Sequence, residues 1–104
     1  MPSKPPANVR TVNNTGPTSL GVKWETVPEE HAHGNITGYK IRYKVVEQGE
    51  EKIWSKANVI NVPGNVNMVN ITDLASYTRY EISVSAETKV GSGIWSSPVF
   101  GSKS

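Results

Sequence analysis

The sequence predicts an all-β protein, a two-sheet antiparallel β-sandwich of about seven strands. The first observation behind this is period-two alternation, which puts one set of side chains on a buried face and the other in solvent. It occurs in SLGVKWE with Leu20, Val22 and Trp24, in TGYKIRYKV with Tyr39, Ile41, Tyr43 and Val45, and in TRYEISVSAET with Tyr80, Ile82, Val84 and Ala86. The second is that no segment carries a convincing helical period. The third is regular punctuation by Pro, Gly and Asn, which spaces short strands as a sandwich requires.

Taken in order, residues 9–12 form a first, weaker strand before a turn at ThrGlyPro (15–17). Two alternating strands follow, around Trp24 and around Ile41, then a turn at GluGlnGlyGlu (47–50). Weaker strands are expected at residues 52–59 and 66–72, on either side of a ValProGlyAsn turn (62–65). The longest alternation, ending near Thr88, leads through GlySerGly (91–93) into a last strand at residues 94–100.

At 104 residues and 11.3 kDa the chain is one domain, large enough to bury a core without metal or disulfide. It has no cysteine, which removes a disulfide scaffold and any thiolate metal site. The net charge of +2 is spread without a basic run, so neither nucleic acid nor an anionic membrane meets a concentrated positive field. No stretch is apolar enough to span a bilayer, and MPSKPP lacks the apolar core of a signal peptide. Residues 1–6 read as a stiff Pro-rich linker or added leading residues, 7–101 as the domain and 102–104 as a C-terminal linker. The chain is expected to be one module of a longer protein.

Trp24 closes the second strand with Pro28 after it, GYKIRY (38–43) forms the third, and LASYTRYEISVSA (74–86) places Leu74 six residues before Tyr80. With GSGIWSSP (91–98) downstream, the sequence resembles the fibronectin type III domain over nearly its whole length. The resemblance implies an immunoglobulin-like sandwich with facing sheets A-B-E and C'-C-F-G, used for mechanical spacing and partner recognition without chemistry. It also implies that Tyr80 is a tyrosine corner, its hydroxyl bonding to backbone a few residues upstream. Removing that hydroxyl is expected to strand a buried acceptor. Tyr77 departs from the family pattern, standing where a small or polar residue is usual. The GSGIWSSPV ending looks similar to such domains in contactin-like adhesion molecules and receptor tyrosine phosphatases.

The candidate sites divide by chemistry. His31 and His33 are the only histidines, and with Glu29 and Glu30 the only nearby carboxylates they fall short of a zinc ligand set and read as loop residues. Asn13, Asn35 and Asn70 each open an Asn-X-Thr sequon and are glycosylation candidates, only slightly more than chance gives in a chain this rich in Asn, Ser and Thr. Asn35 falls in the B to C loop, Asn13 near the A to B turn, and Asn70 between inward Val69 and Ile71. Lys40, Arg42 and Lys44 make a basic row on the outward face of strand C, which a heparin-like polyanion could use. Glu81 and Glu87 on the neighbouring strand account for the row better, as cross-strand charge partners.

Trp24 is core with Tyr39, Ile41, Leu74, Tyr80, Ile82 and Val84. Trp54 and Trp95 lie on or near the C' and G strands, where a large aromatic is either sheet packing or an exposed anchor; as anchors, with Tyr77, they would form a partner-binding surface that also takes in Lys40, Arg42 and Lys44. WSSPV (95–99) half resembles the WSxWS box of cytokine receptors, with Val99 in place of the second tryptophan. The lone Asp73 and the two histidines fall in separate loops, so no nucleophile has an oriented base and no enzyme is expected. No cofactor is implied. The F to G loop lacks ArgGlyAsp, so an integrin mechanism has no warrant. The reading is an extracellular, non-catalytic module of a membrane-anchored or secreted adhesion molecule or receptor, with neighbouring modules or another protein as partner. Its rivals are an intracellular module of a titin-like protein and a ligand-binding module of a cytokine-type receptor.

Overall fold

The computed structural model describes residues 2–12, 18–46, 57–75 and 78–103. Strands β1 (Ala7–Val12), β2 (Leu20–Glu25) and β5 (Met68–Ile71) form one antiparallel sheet in the order β1-β2-β5. The second sheet runs β4 (Asn58–Pro63), β3 (Gly38–Val45), β6 (Thr78–Thr88), and β6 then pairs with both β7 (Gly91–Ser92) and β8 (Val99–Lys103) along its far edge. These are the expected sheets A-B-E and C'-C-F-G, with the last strand divided in two.

Alternation places the core where the sequence puts it. Leu20, Val22 and Trp24 of β2 face Tyr39 and Ile41 of β3 and Tyr80, Ile82, Val84 and Ala86 of β6, all buried, with Ile71 and Leu74 closing the sides. Register keeps these rows aligned: Tyr39 opposes Ala86, Ile41 opposes Val84 and Tyr43 opposes Ile82. A one-residue slip would turn every one of them to the outer face, so the inward apolar set itself holds the pairing. Gly101 sits opposite Tyr80 on β8, and a Cβ there would lie 2.5 Å from Leu20 Cδ2, so the two sheets meet too closely at this point for a side chain.

Several boundaries differ from expectation, each for a local reason. The strand expected at 52–59 is found at Asn58–Pro63, where Ile60 and Val62 reach the core, while residues 52–56 lie outside the described residues. The last strand, expected at 94–100, starts only at Val99 and runs through Lys103, beyond the expected limit at 101. Pro98 has no N–H to give the ladder, and Ser96 replaces strand geometry with its own bonds, its Oγ accepting from the Val84 N–H at 3.0 Å and its N–H donating to the Val84 carbonyl at 2.8 Å. A single helical turn, α1 (Glu29–Ala32), follows Pro28 and is too short to leave a periodic signature. The stretch before β1 is docked: Pro2 is buried against Gly93, and the Ser3 N–H donates to the His31 carbonyl at 2.7 Å.

Candidate functional site

The surface that the sequence marks lies on the outer face of the β4-β3-β6-β8 sheet, where β3 presents Lys40, Arg42 and Lys44 in alternation. Their cross-strand neighbours on β6 are Ser85, Ser83 and Glu81. Lys44 Nζ stands 3.5 Å from Glu81 Oε1, with side chains 14% and 1% exposed, so this pair is nearly out of water. Lys40 pairs diagonally with Glu87 at 3.6 Å, both partners still partly solvated. The Arg42 guanidinium stacks on Trp95, 4.1 Å from the ring centroid. Burial in this position lowers the Arg42 pKa from its usual value. The row is therefore committed within the sheet: two lysines to carboxylates and one arginine to an aromatic face.

Around it lies a patch of mixed aromatic and cationic character. Arg79 stacks on Phe100 at 4.5 Å, Phe100 itself is 41% exposed, and Val59, opposite Arg42 on β4, is 52% exposed. Trp95 is half-buried at the centre. Of the other anchors named from sequence, Trp54 and Tyr77 lie outside the described residues, as does the sequon residue Asn13.

Sequence reasoning missed what holds Trp95 in place. Ser83 and Ser85 point outward from β6, yet both are fully buried because residues 93–96 run over them. The Ser83 hydroxyl donates to the Ser96 carbonyl at 2.6 Å, and the Ser85 hydroxyl donates to the Gly93 carbonyl at 2.9 Å. Those bonds fix the segment carrying Trp95 directly above Arg42. The available signal was a pair of small polar residues at outward strand positions, where a solvated strand more often has charged ones.

Inside the sandwich two tyrosine hydroxyls anchor loops. Ala75 N–H donates to the Tyr80 hydroxyl at 2.8 Å, so the corner bond exists but Tyr80 is its acceptor, and the group at stake is a backbone donor rather than the expected acceptor. Val27 N–H likewise donates to the Tyr39 hydroxyl at 3.3 Å, tying the start of the B to C loop to the core. Burial raises the Tyr39 pKa above its ordinary 10.0, and the Val27 N–H offsets part of that rise. Trp24 packs on Tyr39 with ring centroids 5.5 Å apart.

Both histidines lie between β2 and β3, but His31, expected in a loop, falls within the single turn of α1, and only His33 lies beyond it. His31 is half-buried with Nε2 3.7 Å from Glu30 Oε1, and exposed His33 ends α1 in a left-handed conformation at φ 54°. Among the described residues no three His, Cys, Asp or Glu side chains gather as a metal site would require. Asn35 and Asn70 are both exposed, Asn70 on the outer face of the edge strand β5 between half-buried Val69 and buried Ile71.

A facing pair of sheets in this order, with a tyrosine corner and a buried tryptophan on the second strand, narrows the family sharply, and the fibronectin type III family model matches residues 4–102. The chain is a fibronectin type III domain. It is 38% identical over 100 residues to mouse protein sidekick-1 and 33% identical over 100 residues to the cell adhesion molecule Dscam2 of Drosophila melanogaster, each match covering 96% of this chain. The domain spans only about 4% and 5% of the length of those two proteins. Among solved structures, the fn3 domain of human contactin 1 superposes with a TM-score of 0.80 at 25% identity, covering 99% of this chain and 81% of that one. The FN1–FN3 domains of chicken CNTN1 give 0.81 at 24% identity, over 99% of this chain and 33% of that one, a likeness of fold.

Proposed function

We propose that this fibronectin type III domain is an extracellular, non-catalytic module of a large cell-adhesion molecule, acting as a spacer and offering its β4-β3-β6-β8 face to a protein partner. The observation that carries this reading is the similarity, over nearly the whole domain, to sidekick and Dscam proteins. It favours an adhesion molecule over a titin-like protein, and Val99 at the place of the second tryptophan weighs against a cytokine-type receptor.

The chemistry of the outer face supports the binding part of the proposal. Aromatic and arginine side chains with exposed apolar neighbours are the residue types that concentrate binding energy at protein interfaces, and here Trp95, Arg42, Phe100 and Val59 share one face. A heparin-like polyanion is less suited to it, because Glu81 and Glu87 already engage Lys44 and Lys40.

An epitope tag placed after residue 104 in the full-length parent protein tests the compartment. Staining of intact, unpermeabilised cells is expected. Staining that requires permeabilisation would move the module inside the cell and return the titin-like reading.

A further inference from the structure

Between the B to C loop and the turn from β6 to β7 lies a cleft of about 310 Å³, walled by His33, Gly34 and Thr37 on one side and by Thr88, Lys89 and Val90 on the other. Asn35 stands in the same wall, exposed, at the head of the sequon Asn35-Ile36-Thr37. Val90 is the most exposed large apolar residue among those described, 72% accessible, and it opens onto this cleft. An isolated exposed valine is ordinary; one beside an apolar-lined cleft and a glycan acceptor is a specific juxtaposition.

We propose that Asn35 carries an N-linked glycan whose first N-acetylglucosamine seats in this cleft and covers Val90 with the apolar face of its ring. The proposal rests on the extracellular reading above. The transfer itself is the ordinary one: the Asn35 side-chain nitrogen forms a bond to the anomeric carbon of a lipid-linked oligosaccharide diphosphate. The anomeric C–O bond breaks, the lipid diphosphate leaves with its electrons, and the amide proton passes to a base of the transferring enzyme. Its timing follows from the fold. In the finished sandwich the Thr37 N–H donates to the Glu87 carbonyl at 2.8 Å and the Thr37 hydroxyl to the same oxygen at 3.3 Å. The sequon hydroxyl is thus held against β6, and transfer precedes the closing of β3 onto β6. After that closure the attached sugar is left facing the cleft. Asn70 is exposed too, but the cleft is what selects Asn35 as the site where the sugar packs on the protein.

The test is to secrete the 104-residue chain from a eukaryotic cell, map glycosylated asparagines by mass spectrometry after enzymatic deglycosylation, and compare melting midpoints with and without the glycan. Asn35 is expected to be occupied, and trimming the glycan to a single N-acetylglucosamine is expected to keep a midpoint about 2–4 °C above the fully deglycosylated chain, the size expected from partly covering one valine in a domain this small. In Val90→Ser the glycan should remain while the difference in midpoint disappears. An unoccupied Asn35 in the secreted chain overturns the proposal, and so does an occupied Asn35 with no midpoint difference or with one that persists in Val90→Ser. These outcomes are separate from the compartment test, since a parent protein retained inside the cell sinks the functional reading whatever the secreted chain shows.

Discussion

The Ala75 N–H donates to the Tyr80 hydroxyl at 2.8 Å across a five-residue corner, and this bond joins the end of one sheet to the start of the central strand of the other. Leu74 is buried beside it, its own N–H bonded to the Thr18 carbonyl at 2.8 Å. Tyr80→Phe keeps the ring in the core but leaves the Ala75 N–H without its acceptor. The expected loss is about 1–2 kcal/mol, read as a lower denaturant midpoint at unchanged slope. An unchanged midpoint would show that water replaces the hydroxyl without cost and would end the assignment of a structural corner.

Trp24 is 1% exposed and packs on Tyr39, and its Nε1 has no hydrogen-bond partner among the described residues. Its contribution is therefore volume and contact. Trp24→Ala is expected to cost about 3–5 kcal/mol as a core truncation, enough to unfold much of a marginal domain. Equilibrium unfolding in urea measures it, and a mutant of near wild-type stability would mean that the surrounding side chains collapse into the space.

The core was legible in the sequence because a period of two, repeated in three segments, leaves each strand one workable face. Leu20, Tyr39, Ile41, Ile82 and Val84 are all inward, as alternation requires. The edge of the second sheet was less legible. Pairing there depends on Ser83, Ser85 and Ser96 exchanging side-chain bonds with backbone, and nothing in the periodicity of residues 91–100 encodes which strand a serine hydroxyl will reach. Alternation puts Lys40, Arg42 and Lys44 on the outward face and Glu81 and Glu87 on the same face of the next strand, but which lysine meets which carboxylate depends on register. That Arg42 stacks on Trp95 was not visible, because Trp95 reaches it only by way of those serine bonds.

The two lysine pairs on β3 should behave differently. Lys44 and Glu81 are 14% and 1% exposed, so removing the lysine deprives a buried carboxylate of its counter-charge, whereas Lys40 and Glu87 are 34% and 26% exposed and better solvated. Lys44→Met is expected to cost on the order of 3 kcal/mol, and Lys40→Met about 0–1 kcal/mol. Denaturant titrations of both, at low and high salt, check the order. Equal costs would mean that Glu81 is as well served by its other neighbours as by Lys44.

The Arg42 to Trp95 stack is testable by a double-mutant cycle. With the guanidinium 4.1 Å from the ring centroid and Arg42 partly desolvated, the coupling between Arg42→Ala and Trp95→Ala should be about 0.5–2 kcal/mol. Additive single mutants would show that the two side chains merely lie near each other. The same variants bear on partner recognition, because a loss of binding without loss of stability would identify the stack as an anchor instead of a brace.

Burial of Tyr39 gives the fold one source of sensitivity to alkali. Its phenol is buried and its pKa is raised above 10.0 by desolvation, with the Val27 N–H acting in the opposite direction. Well below pH 10 the phenol is neutral in both folded and unfolded chains, and its contribution is fully present. Toward and above that value, the unfolded chain releases the proton first and so binds fewer protons than the folded one. Stability then falls with rising pH until the folded pKa is passed. Tyr39→Phe should lose about 1 kcal/mol at neutral pH by stranding the Val27 N–H, yet decline less steeply than the wild type between pH 10 and the folded pKa. Urea midpoints measured across that range give the two slopes. Parallel curves would mean that the phenol ionises as easily in the folded chain as in the unfolded one, and that the burial of Tyr39 does not oppose its charge.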